Sequence, residues 1–182
     1  MIIVWYGFIL HSLEFILPYC VELYDCVLIF NEMGGEWFMR FNTSTAMKIA
    51  EYIITVSYEN GTPVSNLKLQ KMLYFVQGEA LKEHGEIAFQ DTIEVWNYGP
   101  VVRIVYERYR HYGASPICKQ YPTPAIIGEI KSVIDKIICR YGEQSAWDLV
   151  QETHRVGTPW RVAFDNKQQT ITVRNMRDYF CK

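Results

Sequence analysis

Two histidines, a pair of glutamates one turn apart and one basic–aromatic run are the parts of this 182-residue chain whose types could carry chemistry. His84 and His154 each stand just before an expected helix stop, where an imidazole complements the helix dipole and the last carbonyls. Neither has a Ser or Cys paired with it in sequence, as nucleophilic catalysis requires. Glu79 and Glu83 have the spacing of an acid–base pair, but Lys82 beside them reads as a solvated helix face. The run Tyr98 to Tyr112 holds Arg103, Arg108, Arg110, His111 and four tyrosines. Such mixing can stack on or track nucleic acid. It equally describes an amphipathic helix with Val102, Val105, Tyr106 and Tyr109 inward and its arginines in water, which the modest charge of the region favours. No nucleophile elbow, phosphate loop, GxGxxG or HExxH motif is present. The five cysteines, at 20, 26, 118, 139 and 181, form neither a CxxC pair nor a Cys/His cluster. A zinc site and a disulfide scaffold are therefore not expected, and a reducing cytoplasm fits. The reading is a binding protein with no catalytic residues, no metal and no cofactor.

The elements that must position these residues are well punctuated. Thr43 or Ser44 can cap a helix with Ala46, Ile49, Ala50, Ile53 and Ile54 on its apolar face, ended by Asn60-Gly61. Ser65 can cap a longer helix up to Gly85, whose buried stripe is Leu69, Met72, Leu73, Val76 and Ala80. Gly78 within it costs about 1 kcal/mol against Ala and predicts a close crossing. Residues 91–96 alternate as a half-buried strand. Gly99-Pro100 predicts a switch to helix with Pro100 at its first position, running to Gly113. Ile117 to Tyr121 reads as a short strand. Thr123-Pro124 predicts a helix with Ile127, Ile130, Ile134, Ile137 and Ile138 inward. Ser145 to Asp148 reads as a capping box, Thr158-Pro159-Trp160 as a cap with a following proline, and Thr172 as the cap of a last helix with an Ile171–Met176 staple. The fold class is mostly α with a small β element (α+β): one compact domain of six to seven helices with a short antiparallel strand pair.

Composition excludes disorder, with 49% hydrophobic and 21% charged residues, and the net charge of −2 creates no strong field. The averages conceal a break. Residues 1–38 contain five acids and no Lys or Arg, and 26 of the 38 are apolar. The remainder, 39–182, carries eighteen basic and fifteen acidic residues, a balance of +3. A signal peptide would need a positive n-region and a small-residue cleavage site, and neither is there. A membrane span would carry His11, Glu14 and Pro18, and an acid in the bilayer costs about 2.5–3.5 kcal/mol. No membrane association is expected. Codon degeneracy offers a third reading. Gly34-Gly35 can be encoded as GGAGGA, the core of a bacterial ribosome-binding site, with three codons between it and the ATG of Met39. Residues 1–38 are thus expected to be an extension outside the native product, with Met39 the true start of a domain over 39–182.

Three blocks carry a resemblance. Asn66-Leu67-Lys68-Leu69-Gln70-Lys71-Met72-Leu73-Tyr74-Phe75 with Gln77-Gly78 is similar to the signature helix of the SocA-like, or Panacea-domain, antitoxins, also described as phage-associated or GepA-like. Ile93 to Val102 with Val105-Tyr106, and Thr153-His154 with Pro159-Trp160, agree in order. The resemblance covers residues 43–181. It departs at Arg155-Val156-Gly157-Thr158, where family members often carry acids. The resemblance implies a non-enzymatic antitoxin of a mobile-element operon that neutralises a co-encoded toxin by direct binding. One branch of the family delivers its toxin to an ATP-dependent protease. The alternative is a DNA-binding, autoregulatory protein, although no separate helix-turn-helix or basic arm is visible. Among the matched residues, the polar and amphipathic ones are the expected partner-binding surface: Lys68, Lys71, Gln77, Trp96, Asn97, Tyr98, Arg103, His154 and Trp160.

Overall fold

A computed structural model of the protein describes residues 26–30, 37–41, 45–122, 126 and 128–182. The chain divides into two units, Met1–Asn42 and Thr43–Lys182. In the first, β1 (Cys26–Phe30) pairs antiparallel with β2 (Trp37–Phe41), and Met39 lies mid-strand opposite Leu28. The other residues of the expected extension lie outside the described residues, as do Thr123, Pro124 and Ile127.

The second unit is α+β. Its described helices are α1 (Ala46–Glu59), α2 (Asn66–His84), α3 (Arg103–Tyr109), α4 (Glu129–Tyr141), α5 (Ala146–His154), α6 (Pro159–Asp165) and α7 (Val173–Phe180). They surround an antiparallel sheet of β3 (Ile93–Trp96), β4 (Gly99–Val102) and β5 (Thr170–Ile171), with β3 in the centre. Helix α2 is the axis. It packs against α1, α3, α4, α5, α7 and β4, and Leu69, Met72, Leu73, Val76 and Ala80 are wholly buried along it. Ser65 caps it and Gly85 ends it, as their types require. Gly78 is needed for a close approach: a Cβ there would sit 2.5 Å from the Phe180 ring of α7. The caps at Ser145, Thr158 and Thr172 form, and Ser145 with Asp148 completes the capping box.

Four local expectations are corrected. Thr45, rather than Thr43 or Ser44, caps α1. Helix α4 begins at Glu129, with Gly128 before it. Ile117 to Tyr121 is not a strand; only the Ser65–Pro116 bridge forms there. The third strand comes instead from Thr170–Ile171, where Ile171 pairs with Ile93. Finally, Pro100 does not open a helix. It lies in β4 opposite Val95, and α3 begins only at Arg103. Strand β4 is an edge, where a missing N–H breaks no ladder. The two residues Asn97-Tyr98 turn the β3–β4 hairpin.

Candidate functional site

The polar residues of α2 are internal clamps. Lys68 donates from Nζ to the Gly142 carbonyl at 2.6 Å, holding the end of α4. Asn66 donates to the Tyr106 carbonyl at 3.1 Å and Gln70 accepts from the Val102 N–H at 2.9 Å. Lys71 donates from Nζ to the Pro100 carbonyl at 2.9 Å. Gln77 accepts from the Ala88 and Phe89 N–H groups and donates to the Phe89 carbonyl, which fixes the loop before β3. All five side chains are buried. Lys68, Lys71 and Gln77 are therefore not the surface residues that their polarity suggested. Each satisfies backbone groups of another segment that burial would otherwise leave unpaired. Burial pushes the Lys68 ammonium down, with Glu143 opposing, and pushes Lys71 down to about 7.

Above Lys71 sits the hairpin. Gly99 has φ +105°, and a Cβ there would lie 2.7 Å from Lys71 Cε and 3.0 Å from Thr153 Oγ1. Glycine meets both demands: the left-handed side of conformational space and backbone seated directly on a lysine. On the far side, Trp160 is 1% exposed, which corrects its place among the surface residues. Its indole N–H donates to the Trp96 carbonyl at 3.1 Å, so α6 holds the end of β3. His154 lies flat on Trp160, with ring centroids 3.8 Å apart and planes at 4°. Among the described residues its Nε2 has no hydrogen-bond partner. Burial, then Lys71 and Arg161, lower its pKa, so at neutral pH it is an uncharged packing ring. The three resembling blocks, distant in sequence, thus meet at Lys71, Gly99-Pro100 and Thr153-His154 with Trp160.

What the clamps hold outward is different. Tyr98 is 62% exposed at the hairpin tip, and its ring meets Trp147 of α5 edge-on at 5.8 Å, with Trp147 itself 56% exposed. Asn97 beside it is exposed, while Trp96 is half-buried and touches Tyr106 edge-on at 4.7 Å. Exposed Arg103 donates from Nε and Nη2 to Glu94 at 2.8 and 2.7 Å. Its guanidinium lies 5.3 Å from the Trp96 ring centroid, and Trp96 in turn donates to Glu94 at 2.8 Å. Arg103 therefore faces solvent already paired, and its charge holds the Glu94 carboxyl below the usual range. Beneath this lip lies a cavity of about 600 Å³, walled by Leu67, Trp96, Tyr98 and Tyr106 and also lined by Lys71 and Arg110. Sequence reasoning missed Asn66, Gln70, Glu94 and Trp147. For Trp147 a signal existed: a tryptophan in the first turn of a capped helix, off the face that Leu149 and Val150 bury. Among the described residues no group of three or more metal-ligating side chains gathers, and no helix is long and apolar enough to cross a membrane.

A family model, "Antitoxin SocA-like, Panacea domain", matches residues 69–161, from α2 to α6. Antitoxin SocA of Caulobacter vibrioides (strain NA1000 / CB15N) is 29% identical over 129 residues, covering 64% of this chain and 69% of that protein. No solved structure matches. Gln70, Lys71, Gly99, Pro100, Thr153 and Trp160, which together seat the hairpin, all fall inside the matched segment, and the chain belongs to the SocA-like antitoxin family by its Panacea domain.

Proposed function

We propose that this protein neutralises a co-encoded toxin by binding it directly, through the lip formed by Trp96, Asn97, Tyr98, Arg103 and Trp147, without turning over a substrate. The observation that carries the reading is the exposed Tyr98–Trp147 pair above a cavity, on a hairpin clamped from below by α2 and from behind by α6. Tyr, Trp and Arg are the side chains that concentrate binding energy at interfaces. A hairpin already fixed by buried hydrogen bonds has little entropy left to lose when a partner docks. Lys68, Lys71, Gln77, His154 and Trp160 then act by holding the hairpin and its surroundings in place.

Co-expression tests this. The adjacent gene should be toxic alone and harmless together with this protein. Arg103→Glu sets a second carboxylate against Glu94 and withdraws the cation from Trp96, so rescue should weaken while the melting temperature stays close to wild type. A neighbour that is harmless alone overturns the antitoxin reading. Undiminished rescue by Arg103→Glu overturns the surface. The toxin's half-life reads its fate: a long-lived toxin in the complex supports sequestration. A toxin that disappears only when this protein and an ATP-dependent protease are both present supports delivery.

A further inference from the structure

Among the described residues around the cavity under the lip, the acids are already paired and one cation has no carboxylate partner. Glu94 holds Arg103 and Trp96, and Glu107 pairs with Arg110 at 3.0 Å. Among the described residues the lining includes Lys71 and Arg110 but no Asp or Glu. Lys71 is a buried member of this lining, and among the described residues its ammonium has one acceptor, the Pro100 carbonyl. No described carboxylate lies within ion-pair distance of it, and burial alone governs its titration. Taking an ammonium out of water without a counter-charge is strongly unfavourable, and a methionine would fill the same space without that penalty. The walls beside it combine Leu67, Trp96, Tyr98 and Tyr106 with the neutral polar side chains of Asn66, Gln70 and Asn97, and the volume, about 600 Å³, is that of a recognition pocket.

We propose that this cavity receives an acidic side chain of the toxin, an aspartate or glutamate entering beside Tyr98 and Trp96, with Lys71 as its counter-ion. This rests on the toxin-binding reading above and specifies the chemistry of what binds. The groups facing Lys71 do not oppose it. Strand β4 contributes the Gly99 and Pro100 backbone, α5 contributes Thr153 and the uncharged ring of His154, and the turn after α3 brings Arg110 to the cavity. In the free protein Lys71 titrates at about 7, and a bound carboxylate raises that value. Above this pH, forming the complex takes up one proton, so affinity falls by up to about tenfold per pH unit until the raised pKa is reached. His154, whose pKa is lowered from its ordinary value of 6.5, is neutral throughout that range and adds nothing to the slope.

The experiment is calorimetric titration of the full chain with the product of the adjacent gene. It is run at pH values of about 7, 8 and 9, with buffers of different ionisation heat at the middle value. The expected result is falling affinity with rising pH, together with net proton uptake. Lys71→Met, which keeps the stem, should bind at least about tenfold more weakly at the lowest pH and lose both the slope and the uptake. If Lys71 only supports β4, the variant binds more weakly but retains the wild-type slope, and the proposal is overturned. Should the variant fail to fold, the wild type alone decides: tight binding that is independent of pH overturns the counter-ion while leaving the toxin-binding reading standing. No binding at any pH overturns both.

Discussion

Helix α2 places Asn66, Lys68, Gln70, Lys71 and Gln77 inside the molecule, whereas the β3–β4 hairpin leaves Tyr98 largely in water beside an exposed Trp147. The polar side chains of α2 reach backbone groups at the ends of α4, β4, α3 and the loop before β3. The two aromatic rings touch each other at the surface. The difference separates two kinds of importance. A buried clamp is stabilising because the group it satisfies would otherwise be desolvated and unpaired. An exposed ring adds little to folding and keeps its area for a partner. Substitutions along α2 should therefore lower stability and those at the lip should lower binding, with Lys71, which both clamps β4 and lines the cavity, the one residue expected in both sets.

The largest effect is expected at Leu73, wholly buried at the centre of α2. Leu73→Ala should destabilise the fold by about 2–5 kcal/mol, the cost of lost burial plus a residual cavity. Chemical denaturation measures it, and an unchanged midpoint would remove α2 from its place as the axis.

Gln77 comes next. Its amide makes three bonds of 3.0–3.2 Å to the backbone of Ala88 and Phe89. Gln77→Ala leaves these groups unpaired in the interior and should cost about 1–3 kcal/mol. The contrast with the lip is sharpened if toxin binding, measured well below the melting temperature, is preserved. It breaks if the variant melts like wild type.

Lys71 gives the comparison a pH axis. A lysine in the unfolded chain titrates at about 10.4, while burial holds Lys71 at about 7 in the folded protein. Between those values the unfolded chain binds more protons than the folded one, so stability rises with pH from about 7 toward about 10. Thermal melts across that window should show the rise for wild type and a flatter profile for Lys71→Met. Parallel profiles would mean that Lys71 is not the buried ammonium that sits under Gly99.

How far these two regions were legible in the sequence follows from what each signal reports. The apolar stripe of α2, its cap and its stop were readable because periodicity and capping are local properties. The roles of Lys68, Lys71 and Gln77 were not, because a clamp is defined by a partner 74, 29 or 12 residues away. Polarity alone suggested surface. The Pro100 misreading has the same origin: Gly-Pro is a sound helix-start signal, overridden here by pairing with β3. Strand β5 is only two residues long and was hidden within the staple expected before α7. The lip was partly visible. Trp96, Asn97, Tyr98 and Arg103 are contiguous enough to be singled out, but Trp147 joins them only through the packing of α5 beside the hairpin.

The smallest effect on folding, and the clearest on function, is expected at Tyr98. The ring is 62% exposed and makes one aromatic contact, with Trp147, so Tyr98→Ala should change stability by no more than about 0.5 kcal/mol. Its loss at an interface is another matter. A large ring at the tip of a preorganised hairpin offers wide contact area at low entropic cost, and truncating such an anchor typically costs more than about 2 kcal/mol of binding. Because 1.4 kcal/mol corresponds to about a factor of ten, the complex with the adjacent gene's product should weaken by more than about tenfold. Trp147→Ala is the companion variant. If both rings engage one partner, each single change weakens binding and the double change costs less than the sum, since removing either ring already loosens the other's seat. Additive losses would place the two rings in separate contacts, and no loss from either would move the binding surface away from the lip while leaving the clamps of α2 as they are.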